Sequence, residues 1–189
     1  MANWRGVLSK NTFKNPEYVI KYTSTDGKIV TPYSTTAFGN ATIISNTYED
    51  GVGYLKFDSK VTFIDEKAFS GKTTLQSIEI PDCVTSIGNN AFDDCRGLTG
   101  ELIIPDSVIS IGGSAFFQCS KLTSLTIGSG VTSIGYNAFY NCIGLTSITC
   151  KSPIAPSIDS YTFYNVKNGG ILYYPLGSDY SKWLSTASY

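Results

Sequence analysis

The chain of 189 residues contains no histidine. That single absence removes Ser-His-Asp and Cys-His catalytic groupings, imidazole metal ligands and a histidine pH switch. Charge is also scarce, at 15% of residues, and nets to −1. Nothing therefore draws the chain as a whole to nucleic acid or to an anionic membrane surface. No apolar run approaches the roughly 18 residues of a membrane helix, so no membrane insertion by this chain is expected. The opening "MANWRGVLSK" has no apolar leader segment, as expected of an intracellular protein or of a trimmed chain. No C-x-x-C pair offers a zinc site. No G-x-x-x-x-G-K-[ST] loop offers a phosphate cradle, although glycines number 18. Serine and threonine are abundant but have no base to activate them. Five cysteines leave at least one unpaired within the chain. No metal and no cofactor are expected.

What is present is repetition within a globular composition, 42% apolar. An Ala-Phe pair recurs at Ala68-Phe69, Ala91-Phe92, Ala115-Phe116 and Ala138-Phe139, with gaps of 23, 24 and 23 residues, and Thr162-Phe163 follows 24 later. Around each pair run "L-x-x-I-x-I-P" and "V-x-x-I-G-x-x-A-F-x-x-C". A fixed period of this size marks a solenoid, whose coils bury their apolar sides only against one another. In one coil, Leu75, Ile78 and Ile80 are expected inward and Gln76, Ser77 and Glu79 outward. Pro81-Asp82 ends that strand. Val84 and Ile87 return to the core, Gly88 turns the corner, and "NNAF" forms a helical turn placing Ala91 and Phe92 inward.

The phrase "L-T-S-I-x-I-P-D-S-V-T-S-I-G-x-x-A-F-x-x-C", matched over 75–95, 98–119 and 122–142, resembles the BspA-like, or treponemal-type, leucine-rich repeats. The copy at 52–71 is weaker: Phe57-Asp58 replaces Ile-Pro, Asp65 the glycine and Gly71 the cysteine. The third copy carries an extra residue around Gly100-Glu101. The fifth, 145–166, holds the insert "KSPIAPSID". The fold expected is a right-handed, β-rich leucine-rich-repeat solenoid of about five coils over 52–166. Residues 1–51 would form an N-terminal cap and 167–189 a C-terminal cap, within one structural domain.

The N-terminal cap is expected to hold a β-hairpin over 17–33, turning at Asp26-Gly27, with "NATIISNTY" beside it. At the far end, 169–175 reads as an edge strand. Residues 177–185 read as a short helix with Ser178 at its N-cap, laying Trp183 and Leu184 over the core. Covering solenoid ends protects their open edges.

Candidate sites are few. Cys95, Cys119 and Cys142 share one coil position. They read either as a soft-metal or disulfide ladder or as small fillers of a core slot, which Gly71 and Val166 fill elsewhere. Asp82 and Asp106 follow proline, and Asp93-Asp94 lie in a loop. They read as turn formers, with a hydrolytic carboxylate pair as the alternative. The inner sheet face is the usual binding surface of a solenoid. Its outward positions are Gly53, Tyr54 and Lys56; Gln76, Ser77 and Glu79; Gly100, Glu101 and Ile103; Thr123, Ser124 and Thr126; Thr146, Ser147 and Thr149. Of these Tyr54, Lys56, Gln76, Glu79, Glu101, Thr126 and Thr149 are the candidate contacts, although threonine is also simply a good strand former. Thirteen tyrosines and two tryptophans add exposed aromatics, with Tyr136 and Tyr140 the candidates for protein or sugar contact.

These readings give no catalytic residue and point to non-catalytic recognition of a protein or glycan. The family resemblance implies a bacterial cell-surface or secreted protein engaged in adhesion. The competing reading is a structural or scaffolding module, intracellular or in a phage particle.

Overall fold

The computed structural model describes residues 18–186. The opening decapeptide and Glu17 of the expected hairpin lie outside them. The elements in chain order are β1 (Val19–Ser24), β2 (Ile43–Glu49), β3 (Val52–Phe57), β4 (Phe63–Ile64), β5 (Leu75–Glu79), β6 (Ser86–Ile87), β7 (Gly100–Ile104), β8 (Ser110–Ile111), β9 (Leu122–Ile127), β10 (Ser133–Ile134), β11 (Ser147–Cys150), β12 (Ile171–Tyr173) and the short helix α1 (Ser181–Thr186).

Each of the first four coils contributes one long and one short strand, and the fifth replaces its short strand by a single bridge from Ser157 to Ser133. The long ones stack in parallel in the order β12-β11-β9-β7, and the short ones in the order β10-β8-β6-β4. The result is a β-solenoid of about five turns with almost no helix. Apolar positions recur once per coil, so identical residues fall into columns. Leu75, Leu98, Leu122 and Leu145 form one; Val61, Val84, Val108 and Val131 another; Ile64, Ile87, Ile111 and Ile134 a third, all buried. The phenylalanines stack almost parallel. Phe69, Phe92, Phe116, Phe139 and Phe163 lie 4.9 to 5.4 Å apart, ring centre to ring centre. Fully burying such a side chain contributes about 1.5–3 kcal/mol, and ring contact adds about 0.5–1.5 kcal/mol.

The "NNAF" segment is not helical as expected. Its amides alternate between a turn bond within the coil and a bond to the next coil. Ala91 N donates to Gly88 O (3.4 Å) and Phe92 N to Ala115 O (2.7 Å); Asp93 N donates to Asn90 O (3.1 Å) and Asp94 N to Phe117 O (2.8 Å). The backbone reverses hand to do this, with positive φ at Asn90 and Asp94. Stacking coils demands these inter-coil bonds, and a helix would consume the same amides internally.

Gly88, Gly112 and Gly135 are required by closeness rather than by φ. A Cβ on each would sit 2.6 Å from a backbone nitrogen of the coil beneath: Glu66, Asn89 and Gly113 respectively. The first regular coil has Asp65 in this slot, where the chain beneath is the irregular 34–42 segment; Asp65 N donates to Ala37 O at 2.9 Å.

The N-terminal region departs from expectation. Residues 28–33 form no strand, so Asp26-Gly27 closes a turn but no hairpin. β1 instead inserts antiparallel between β3 and β5, giving the order β2-β3-β1-β5. With both its edges taken, β1 has no room for the 28–33 arm. The hairpin that does form is β2-β3, turning at Asp50-Gly51, both with positive φ (52° and 83°). The same Asp-Gly signal therefore occurs twice, and the second carries the strands.

At the other end β12 pairs in parallel with β11. The helix begins at Ser181, later than expected, and Asp179 rather than Ser178 caps it, Oδ1 accepting from Ser181 N at 2.9 Å. Trp183 is buried against Phe163 (5.3 Å), whereas Leu184 is exposed and Tyr180 takes the inner place. Tyr180 Oη donates to Ser152 O and Trp183 Nε1 to Pro156 O, both at 2.8 Å. The insert "KSPIAPSID" thus supplies the carbonyls that hold the last segment.

Candidate functional site

The parallel sheet β12-β11-β9-β7 presents two outward rows, fixed by register. One is Glu101, Ser124, Ser147 and Ile171; the other is Ile103, Thr126, Thr149 and Tyr173. Strand alternation puts Leu102, Leu125 and Ile148 on the inner side between them. Of the candidate contacts, Glu101, Thr126 and Thr149 are brought together here, and Thr126 Oγ1 donates to Glu101 Oε1 at 2.8 Å. Apolar side chains border these polar ones: Ile103 is 52% exposed, Ile171 55% and Tyr173 53%. Ile171 and Tyr173 belong to the edge strand and were not among the expected contacts. Their signal was the alternation in "ILYY", read only as an edge.

Tyr54, Lys56, Gln76 and Glu79 fall on the antiparallel sheet instead. Tyr54 and Glu79 are not neighbours, because Lys21 of β1 stands opposite both. Its Nζ pairs with Glu79 Oε2 at 3.3 Å. Lys56 Nζ lies 6.0 Å from the Tyr54 ring centre. Gln76 sits at the register shift of β1 against β5 and lends its carbonyl to Thr99 N (3.1 Å), where the two sheets meet. Gly53 does not face outward: it is on the Leu55 side of β3, with the Tyr22 ring against its bare Cα.

The aromatic candidates join a larger cluster. Tyr140 is stacked between Phe117 (5.1 Å) and Tyr164 (5.0 Å). Tyr136 meets Tyr161 at 5.5 Å, and Tyr161 meets Tyr164 at 5.8 Å. Both faces of Tyr140 are thus covered, and its ring edge and hydroxyl are what it offers. Beside this row an open groove is lined by Arg96, Gln118, Ser120, Asn141, Ile143 and Asn165.

The cysteine column is a buried core slot. Cys95, Cys119 and Cys142 are fully buried free thiols, donating to the carbonyls of Phe69, Phe92 and Phe116 at 3.0, 3.3 and 3.2 Å. Burial pushes the thiols of Cys95 and Cys142 up to about 12, and Cys119 well above its ordinary value. Such thiols are poor nucleophiles. The described residues contain no group of three or more metal-binding side chains suited to a metal ion.

The carboxylates act in turns. Asp106 Oδ1 accepts from Ser129 N at 2.8 Å, one coil on, and that bond holds its carboxyl below the ordinary value. Asp94 Oδ1 accepts from Arg96 Nε at 2.5 Å. Burial, then the neighbouring Asp94, push the Asp93 carboxyl up. No further acid lines the groove beside them. No helix among the described residues is long and apolar enough to cross a membrane.

The repeat is also that of a known family. The family described as BspA type leucine rich repeat region matches residues 42–170, in six copies. No curated protein matches the chain. Among solved structures, a leucine-rich repeat protein from Bacteroides ovatus is similar at 24% identity and a TM-score of 0.46, over 62% of this chain and 31% of that one. The chain therefore spans about a third of that protein's length. A leucine-rich repeat protein of T. pallidum is similar at 21% identity and a TM-score of 0.46, over 70% of this chain and 79% of that one.

Proposed function

The chain belongs to the BspA-type leucine-rich-repeat family, and from that premise we propose that it is a non-catalytic recognition module whose parallel-sheet face binds a protein partner at a bacterial cell surface, in adhesion. The observation that carries this reading is the double row on β7, β9, β11 and β12. Threonine and serine hydroxyls lie between exposed Ile103, Ile171 and Tyr173. Apolar anchors set among hydrogen-bonding groups are the make-up of a protein interface. Ladder bonds hold the strands in place, so little ordering entropy remains to be lost on binding. The absence of histidine and the turn-bound acids favour binding over catalysis.

Two measurements test it. The first is protease shaving of intact producing cells, with the released peptides followed by mass spectrometry. Release while cytoplasmic markers stay intact supports the surface reading. Peptides appearing only after lysis would redirect the search to a scaffold within the cell or a phage particle. The second is binding to immobilised extracellular-matrix proteins by Tyr173→Arg and Ile103→Arg. Both side chains are exposed, so folding should persist while binding falls. Unchanged binding would remove the sheet face from the reading.

A further inference from the structure

The corner groove lies on a different surface, between each Ala-Phe turn and the start of the next long strand, so its test stands apart from that of the sheet face. Three successive coils place chemically matched residues along it. Gln118, Asn141 and Asn165 occupy one slot with the same backbone, each at φ 59°. Immediately before them Phe117, Tyr140 and Tyr164 form the stacked row, 5.1 and 5.0 Å apart. The fold does not require either row. The first two coils put Ser70 and Asp93 in the aromatic slot, and Gly71 and Asp94 in the amide slot, with the same positive φ.

We propose that this groove binds an extended, neutral, β-linked glycan chain lying along the solenoid axis, one sugar to a coil. The spacing of the stacked rings, 5.0–5.1 Å, is close to the rise of one hexose in an extended β-1,4-linked chain, so successive sugars meet successive coils in register. The amides supply what sugar hydroxyls need. Asn165 Nδ2 donates to Asn141 Oδ1 (2.8 Å), and Gln118 Oε1 accepts from Arg96 Nη2 (2.8 Å). The asparagine pair uses one donor and one acceptor, and the Gln118 contact uses only its acceptor. A primary amide has capacity beyond that, so donors and acceptors remain for a ligand. Ile143 is exposed in the groove and offers an apolar contact to the C–H face of a ring. Ser120 adds a hydroxyl. Arg96 is the single charge lining the groove, and Asp94 offsets it, so an uncharged ligand fits better than a uronate or a sialoside.

The test is calorimetric titration of the whole chain with neutral β-1,4-linked oligosaccharides of glucose, mannose, xylose and N-acetylglucosamine, from disaccharide to hexasaccharide. Maltohexaose, α-linked, serves as the control. At least one β-linked series should bind, with affinity rising with length and levelling off once the chain spans the third to fifth coils. Asn141→Gly keeps the left-handed backbone and deletes the amide; Ile143→Asp charges the apolar contact. Each should weaken binding about tenfold, the scale of one lost hydrogen bond, without changing Tm. The proposal is overturned if no β-linked hexasaccharide binds at millimolar concentration. It is equally overturned if affinity is independent of length, if maltohexaose binds as well, or if both variants bind like the native chain.

Discussion

Cys119 donates its thiol proton to the carbonyl oxygen of Phe92, 3.3 Å away and one coil back, from complete burial. Cys95 and Cys142 repeat the bond to Phe69 and Phe116. Each thiol therefore fills a core slot and also engages a buried carbonyl, which an alanine of similar size would leave with one partner fewer. A thiol whose folded value lies above its unfolded one adds stability at low pH and loses it as pH rises through the gap. For Cys95 and Cys142 that window runs from the ordinary 9.0 to about 12. Stability should fall by about 1.4 kcal/mol per pH unit for each such thiol inside it. Urea midpoints taken between pH 8.5 and 10.5 would show the fall, and Cys95→Ala with Cys142→Ala should make it shallower, leaving the part that Cys119 contributes. An identical slope in the double variant would mean that these thiols are not the titrating groups. Below the window, native protein should resist thiol labelling at all three positions.

The phenylalanine column sets the cost of breaking a coil. Phe116 is fully buried between Phe92 at 4.9 Å and Phe139 at 5.2 Å. Phe116→Ala deletes a ring that two neighbours rest on, and the coils above and below are too tightly bonded to close the gap. Chemical denaturation should record a loss of about 3–5 kcal/mol. A loss under about 1 kcal/mol would be incompatible with this register.

Two glycines separate closeness from backbone hand. Gly112 has ordinary φ, but a Cβ there meets Asn89 N at 2.6 Å and Gly88 C at 2.7 Å. Gly71 has φ 70° with nothing within 4 Å of a Cβ. Gly112→Ala must push two coils apart and should cost about 1–3 kcal/mol or more. Gly71→Ala strains only its own backbone, at about 1–2 kcal/mol. The two differ more sharply in the crystal structure of each variant: displaced coils for Gly112, an unmoved stack for Gly71.

The columns were legible in the sequence because a solenoid writes each of them once per period. Leucine, valine, isoleucine, phenylalanine and cysteine slots all fell where the spacing placed them, and so did the outward Glu101, Thr126 and Thr149. What escaped was non-periodic. The insertion of β1 between β3 and β5 is a long-range pairing, and nothing local in "VIKYTS" tells which edge it will take. Lys21 therefore entered between Tyr54 and Glu79 unannounced. Ala37-Phe38 is a further Ala-Phe pair, but it stands 31 residues before Ala68-Phe69, outside the period. It nevertheless sets Phe38 against Phe57 (4.9 Å) and Phe69 (5.9 Å), at the N-terminal end of the column. The groove was missed for another reason. Gln118, Asn141 and Asn165 read singly as loop residues, and only the stacking of coils aligns them.

At the C-terminal end, Trp183 lies against Phe163 and is tied by Nε1 to Pro156 O. We propose that this segment acts as a cap, and the proposal makes a regional prediction. In a solenoid each coil is stabilised by its neighbours alone, so damage at one end should spread inward and fade. Trp183→Ala removes the ring that packs on the outer side of Phe163 and leaves Pro156 O without the indole donor. Hydrogen exchange followed by mass spectrometry should show lost protection over 145–166, little change over 98–120 and none over 61–80. Phe38→Ala at the other end should give the mirror image, with protection lost over 61–80 first. Uniform loss in both variants would show one cooperative unit, in which neither terminal ring acts locally. Loss confined to 171–186 in the tryptophan variant would show that the segment rests on the solenoid without supporting it.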